Sequence, residues 1–301
     1  SQMSVPFYVS SRNYGFLWNH PGIGKVTFAK NMTEWEMYGT DYIDYWITAG
    51  NSPKDIMEQY TSVTGRVPKM PKNLLGLWQS KLRYRTPEEV VEGYKQRCIQ
   101  LSRIAIDYFH WPKQGEYRFD PDFWPEPEKL VKTLKEDYHV EPLISIWPTV
   151  QSDAYNYEQY LQGGYLIKVN RGVRMTMQIQ GNTVFMDTTN PDARDYVWNL
   201  IKKNYKDIGI DYWVDVAEPG YAVYDFENYR YHAGTAVESG NLYPNGYLKM
   251  VYDGNKDSNE AVVTLVRGAW AGAQKYGALA WSGDIDSSFE AFHNQVNSGL
   301  N

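Results

Sequence analysis

Thr86-Pro87-Glu88-Glu89, continued by Val90, Tyr94, Cys98 and Leu101 and then by Ile104-Ala105-Ile106-Asp107-Tyr108-Phe109, is the stretch on which the fold turns. A threonine ahead of a proline and two acids reads as a capping box with proline at the first helical position. The apolar spacing that follows predicts one helical face through Leu101, with Cys98 packed on it. The apolar run 104–109 is short and reads as a strand, so helix and strand together form part of a βα repeat. Working outward, Leu74-Leu75-Gly76-Leu77-Trp78 is the expected first strand. A loop rich in Trp, Pro and Asp precedes a helix carrying Leu130, Val131 and Leu134, and Pro142-Leu143-Ile144-Ser145-Ile146-Trp147 is the third strand. Residues 148–187 are tyrosine-rich and read as an excursion on the loop face. Asn190-Pro191-Asp192-Ala193 caps the next helix, through Val197, Leu200 and Ile201. Asp211–Asp215, Val262–Arg267 and Ala278–Trp281 supply strands four to six, and a helix from about Ser288 to Leu300 ends the chain.

Six parallel strands fit either a doubly wound sheet or a barrel cut short of its eight. No glycine-rich turn follows the first strand, and the long loops all follow strand C-termini, where barrel enzymes keep their chemistry. The expected fold is therefore α/β: an incomplete (β/α)8 TIM-type barrel of about six βα units, over residues 74–301. Residues 1–50 are strand-like at Phe7-Tyr8-Val9, Tyr14–Trp18 and Ile43–Ile47 and read as the trailing strands of a β-sandwich. Residues 51–73 are a helix, opened by Ser52-Pro53-Lys54-Asp55, and a linker. Ser1-Gln2-Met3 reads as a vector remnant before an internal boundary. An open barrel exposes two parallel edges, which predicts self-association there unless another chain covers them.

The 301 residues are 43% hydrophobic and 22% charged, enough core material for a large domain. A net charge of -6 without a Lys/Arg block argues against nucleic acid and anionic membrane surfaces as partners. No apolar run approaches the roughly 20 residues that span a bilayer. The single cysteine and the absence of a leader in this stretch tilt the expected compartment toward the cytoplasm, which is otherwise left open. Trp 11, Tyr 26 and Phe 10 bring the aromatic share to 16%, which suits sugar faces but equally interfaces and packing, so position must decide.

At the strand C-termini stand Trp78-Gln79-Ser80-Lys81, Asp107-Tyr108, Trp147-Pro148, Asp215, Arg267 and Trp281-Ser282-Gly283-Asp284. A carboxylate ending an apolar strand faces a low-dielectric wall, where its charge is costly without a partner; three on one rim point to chemistry more than to capping. Two carboxylates across an aromatic-lined mouth are what glycoside hydrolysis uses, one attacking the anomeric carbon and one protonating the leaving oxygen. Trp147, Trp213 and Trp281 are the candidate sugar platforms. His20, His110, His139, His232 and His293 lack metal-ligand spacing and read as surface or loop residues. No nucleophile elbow or phosphate loop is present, and no metal or cofactor is expected.

At these residues the sequence resembles glycoside hydrolase family 31. Trp213-Val214-Asp215-Val216-Ala217-Glu218-Pro219 is similar to the family's nucleophile strand. Gly76–Lys81, Asp107–Pro112, Phe119-Asp120-Pro121, Ile146-Trp147-Pro148, Leu265-Val266-Arg267, Ala271–Tyr276 and Trp281-Ser282-Gly283-Asp284 follow in the family's order. The resemblance implies a retaining α-glycosidase acting on terminal α-xylosides or α-glucosides without a metal. In it Asp215 is the nucleophile, Asp284 the acid/base, and Asp107, Trp147, Trp213, Arg267 and Trp281 bind the substrate. Glu218 is expected to orient rather than catalyse, and burial with the Asp215 charge is expected to raise the Asp284 pKa. The resemblance reaches the sixth barrel unit and lacks the seventh and eighth. A non-catalytic carbohydrate-binding fragment and an α-transglycosylase remain the alternatives, and the Trp78–Lys81 and Asp215–Pro219 motifs tilt the sugar toward xylose.

Overall fold

The computed structural model describes residues 3–80, 86–172, 177–178, 181–221, 224–257 and 262–300. The chain opens with five strands: β1 (Phe7–Ser10), β2 (Tyr14–Trp18), β3 (Gly24–Phe28), β4 (Thr33–Met37) and β5 (Tyr45–Ala49). Strands β1, β2 and β5 form an antiparallel sheet in that order, and β3 pairs with β4 as a separate hairpin. This hairpin is absent from the sequence reading because most of its residues are exposed and carry no inward pattern. Helix α1 (Pro53–Thr64) starts where expected. Ser52 accepts the Asp55 amide, Pro53 stands in the first turn, and Ile56 and Tyr60 are buried against the sheet.

The barrel portion follows as β6 (Leu77–Ser80), α2 (Pro87–Lys95), β7 (Leu101–Ile106), α3 (Pro127–Glu136) and β8 (Glu141–Ile146). The excursion holds β9 (Thr149–Gln151), α4 (Tyr157–Gln162), β10 (Lys168–Val169), β11 (Met177–Gln178) and β12 (Asn182–Phe185). Then come α5 (Pro191–Ile201), β13 (Asp211–Val214), β14 (Tyr229–Tyr231), β15 (Gly234–Thr235), α6 (Ala236–Ser239), α7 (Tyr243–Asn255), β16 (Thr264–Val266), β17 (Ala278–Ala280) and α8 (Phe289–Leu300). Six strands make one parallel sheet in the order β17-β16-β13-β8-β7-β6, a half-barrel whose edges are β6 and β17.

Strand periodicity divides this sheet's side chains between two faces. Ile104, Ile106, Ile144, Ile146, Tyr212, Val214 and Val266 join the main core, which includes the buried faces of α3, α5 and α7. Ala105, Leu143 and Trp213 cluster on the inner face with the half-buried Trp78, Leu265 and Trp281. Also associated with this half-barrel is Arg103, with a 3% exposed side chain; it pairs with Asp211 at 2.5 Å and lies over the Trp78 ring.

Three local expectations are corrected. Helix α2 ends at Lys95, so Leu101 is a strand residue and Cys98 does not pack: it is exposed, at a φ of 56°. Leu101 pairs with Leu77 in the sheet, and the chain must leave the helix early to reach that register. Thr86 makes no side-chain cap to the backbone; its hydroxyl donates instead to the Glu89 carboxylate at 3.0 Å. The first barrel strand begins at Leu77 rather than Leu74, which lies in a 3-10 turn, and Lys81 of its motif falls outside the described residues. Gly76, at a φ of 127°, lets this strand approach Ser102, whose Cβ would stand 2.9 Å from any added methyl.

Candidate active site

Register fixes what meets at the C-terminal rim. Val214 pairs with Ile146 on one side and Val266 on the other, and Val266 pairs with Ala280. One residue further on, Trp147, Asp215, Arg267 and Trp281 therefore stand side by side, all on the inward parity. Asp107 ends β7 on the same parity, two residues past Ala105.

Of the three rim acids Asp215 is the most enclosed, its side chain 7% exposed. Burial pushes its carboxyl up to about 6, opposed by the Arg267 guanidinium and the Val216 amide and reinforced by the charges of Glu218 and Asp107. Arg267 Nε lies 3.4 Å from Asp215 Oδ1, and Asp215 Oδ1 makes no hydrogen bond. Arg267 is itself gripped by Glu218, Nε to Oε1 at 2.6 Å and a second guanidinium nitrogen to Oε2 at 3.2 Å. Glu218 thus holds the guanidinium that stands beside Asp215. Immediately after Asp215 the chain turns through Val216 at a φ of 56°. A β-branched residue in the left-handed region costs about 1–3 kcal/mol and is held there by its surroundings, here Val216's packing in a buried aromatic cluster. Sequence pattern gives no sign of this turn.

Asp107 is half-buried, its carboxyl raised by burial and by the charge of Asp284 while the Tyr108 amide, 2.8 Å from Oδ1, opposes the rise. Burial works against the Arg267 charge, but the hydrogen bond to Glu218 and the charges of Asp215, Glu218 and Asp284 outweigh it and raise its pKa. The three acids and one guanidinium are thus electrostatically connected. Asp284 itself does not match the expected burial: it is exposed. Its loop follows β17, which among the described residues is an edge strand of the sheet.

The three tryptophans differ. Trp147 is 7% exposed, stacked on Tyr108 at 4.9 Å and flanked by Trp111 at 5.6 Å. Trp213 is 6% exposed inside the half-barrel, its ring perpendicular to Trp281 at 4.9 Å. Only Trp281 is partly open, and Arg267 lies over its ring at 5.7 Å. Tyr108 is a wall residue that sequence reasoning quoted beside Asp107 without assigning it a place. His20 and His110 are buried in loops rather than at the surface; His110 bridges the Asp107 carbonyl and the Tyr205 hydroxyl, and burial lowers its pKa to about 3. Among the described residues no group of three or more His, Cys, Asp or Glu could hold a metal ion. Nor, among them, is any helix long and apolar enough to cross a membrane.

Comparison with known proteins bears on this rim as a whole. The family model for the glycosyl hydrolases family 31 TIM-barrel domain matches residues 67–301. A family 31 glucosidase of Pseudescherichia vulneris is 49% identical over the whole chain, and α-xylosidase A of Aspergillus niger is 32% identical. The chain spans 58% and 45% of their lengths, about half of each relative. Among solved structures, a family 31 α-xylosidase from a soil metagenome, complexed with xylose, is 50% identical with a TM-score of 0.94, over 99% of this chain and 45% of that one. The inward row at the strand ends, the six-stranded half-barrel and these matches agree, and the chain belongs to glycoside hydrolase family 31.

Proposed function

We propose that this chain carries the two reacting carboxylates of a retaining α-glycosidase acting on terminal α-xylosides or α-glucosides, with xylose preferred. The observation that carries the reading is Asp215, enclosed at the end of β13 with a guanidinium 3.4 Å away that is clamped from behind by Glu218. Above about pH 6 Asp215 is ionised and has an oxygen free of hydrogen bonds, which suits attack on an anomeric carbon. In the first step an Asp215 oxygen bonds to that carbon as the bond to the leaving oxygen breaks, and Asp284 gives its proton to the leaving group. In the second, water adds to the carbon while Asp284 takes its proton, and the ester to Asp215 opens. Asp107 would accept sugar hydroxyls, Arg267 would hold Asp215 ionised and contact the sugar's rim, and Trp281, with Trp147 and Trp213 behind the rim, would shape the terminal subsite.

A second reading, with Asp215 as the acid, has in its favour that burial raises the Asp215 carboxyl, as it does that of Asp107. The cation and the Val216 amide beside Asp215 oppose it: both favour the carboxylate, which a nucleophile needs and an acid does not. The preference for xylose is supported by the named α-xylosidases among the relatives and by the xylose complex of the 50% identical structure. One hydroxymethyl group separates the two sugars, a difference of about 1–3 kcal/mol.

Incubation with 5-fluoro-α-xylosyl fluoride and its gluco counterpart, read by intact mass and peptide mapping, tests all of this. A single adduct on Asp215 from the xylo reagent is expected. An adduct on Asp284 would reverse the roles, and folded protein that forms none would leave carbohydrate binding without turnover. Product from added acceptor sugar in excess over hydrolysis would instead mark a transglycosylase.

A further inference from the structure

The loop that follows β7 is held in place from behind. Within Asp107–Tyr117, Phe109 stands in the left-handed region at a φ of 71° and Tyr117 at 46°. Such a conformation is unfavourable for a residue with a Cβ and persists only where its surroundings fix it. The fixing contacts come from one short element. After α5 the chain continues as a π-turn (Lys202–Lys206), wider than an α-helical turn, with the Asp207 amide donating to the Lys202 carbonyl at 3.0 Å. Turns of this kind are rare and gather at functional sites. Here Asn204 and Tyr205, neighbours in sequence, both reach the loop.

Tyr205 is fully buried, and its hydroxyl lies 3.0 Å from His110 Nε2. His110 Nδ1 lies 3.2 Å from the Asp107 carbonyl. A carbonyl can only accept, so Nδ1 carries the proton and Nε2 accepts from Tyr205. The imidazole thus closes the turn from Asp107 to His110 and ties the Asp107 backbone to the π-turn. Asn204 forms a second strut: its Nδ2 donates to the Tyr117 carbonyl at 2.8 Å, and the Tyr117 hydroxyl donates to the Trp147 carbonyl at 2.7 Å. Both struts end on rim residues. An apolar pair in place of His110 and Tyr205 would fill the same space without burying polar groups, at little cost in stability. What the hydrogen bonds add is direction, and the residue they direct is Asp107.

We propose that His110 and Tyr205 are positioning residues for the terminal-sugar subsite, holding Asp107 at the angle from which its carboxylate meets the sugar. This rests on the reading of Asp107 as a sugar-binding residue, but not on turnover. The test titrates xylose into the full chain and into its His110→Asn, His110→Gln and Tyr205→Phe variants, followed by tryptophan fluorescence. Asparagine reaches only as far as Nδ1 and keeps the bond to the Asp107 carbonyl, whereas glutamine reaches to Nε2 and loses it. His110→Gln is expected to weaken xylose binding about tenfold and Tyr205→Phe about threefold or more, with His110→Asn within about threefold of the parent. Nitrogen-15 spectra of the imidazoles should show His110 neutral with its proton on Nδ1, and Tyr205→Phe should shift its Nε2 resonance. Thermal unfolding of each variant reports the fold separately. Equal losses in His110→Asn and His110→Gln, or losses that track unfolding, would mark a packing role and overturn the proposal. So would unchanged affinity in His110→Gln and Tyr205→Phe, a proton on Nε2, or a parent chain that binds no xylose. A parent that binds xylose yet forms no adduct on Asp215 sinks the glycosidase reading alone.

Discussion

Replacing Asp215 by Asn is expected to stabilise the fold at neutral and higher pH. The carboxyl is lifted from 3.8 to about 6 because burial removes water from its charged form faster than Arg267 and the Val216 amide restore stabilisation. At roughly 1.36 kcal/mol per pH unit, a rise of about two units corresponds to roughly 3 kcal/mol at pH above the folded value. Asparagine carries no charge to desolvate, but it also leaves Arg267 with Glu218 alone, so a gain of about 1–3 kcal/mol is expected. The sign follows from proton binding. A group whose folded pKa is raised contributes stability that is fully present below the unfolded value of 3.8 and is lost as pH rises through about 6. The advantage of Asp215→Asn should therefore be full at about pH 8, shrink between 6 and 4, and vanish below. Urea unfolding followed by tryptophan fluorescence at several pH values measures it. A variant no more stable than the parent at about pH 8, or one whose difference is flat with pH, would refute the claim that the site holds this carboxylate against solvation.

The acidic limb of kcat/KM on an aryl α-xyloside should fall about tenfold per pH unit below pH 6, the Asp215 value; a limb near 4 would mean that substrate or another group sets it. Arg267→Met removes the cation that lowers the Asp215 pKa, so that limb should move upward in pH and kcat/KM should drop about 10²-fold or more; an unmoved limb would separate Arg267 from Asp215. Asp211→Asn leaves the buried Arg103 without its charged partner at a half-exposed position and should cost about 1–3 kcal/mol in urea unfolding, whereas Asp153→Asn, facing the exposed Lys113, should cost about 1 kcal/mol or less. Cys98 should react with a thiol reagent in the native state at the rate of a free thiol; protection until unfolding would contradict its exposed position.

What could be read from the residues alone was the order of the units and the ends of their strands. Parallel strands buried on both faces are written as short apolar runs, and each run stops where the polar rim begins. Asp107, Asp215, Arg267 and Trp281 were found that way, since a charged or amphipathic residue ending such a run has only the rim to occupy. The period of two then puts them on one face. Exposure and pairing were settled by segments distant in sequence. Leu101 left its expected helix because Leu77 required it in the sheet. The β3–β4 hairpin has few buried side chains to leave a pattern, and its place is fixed by backbone bonds to residues about two hundred positions away. Asp215 is enclosed because its strand lies between two others. Which acid loses its water is a property of what lies across the sheet, and no local stretch of sequence contains that.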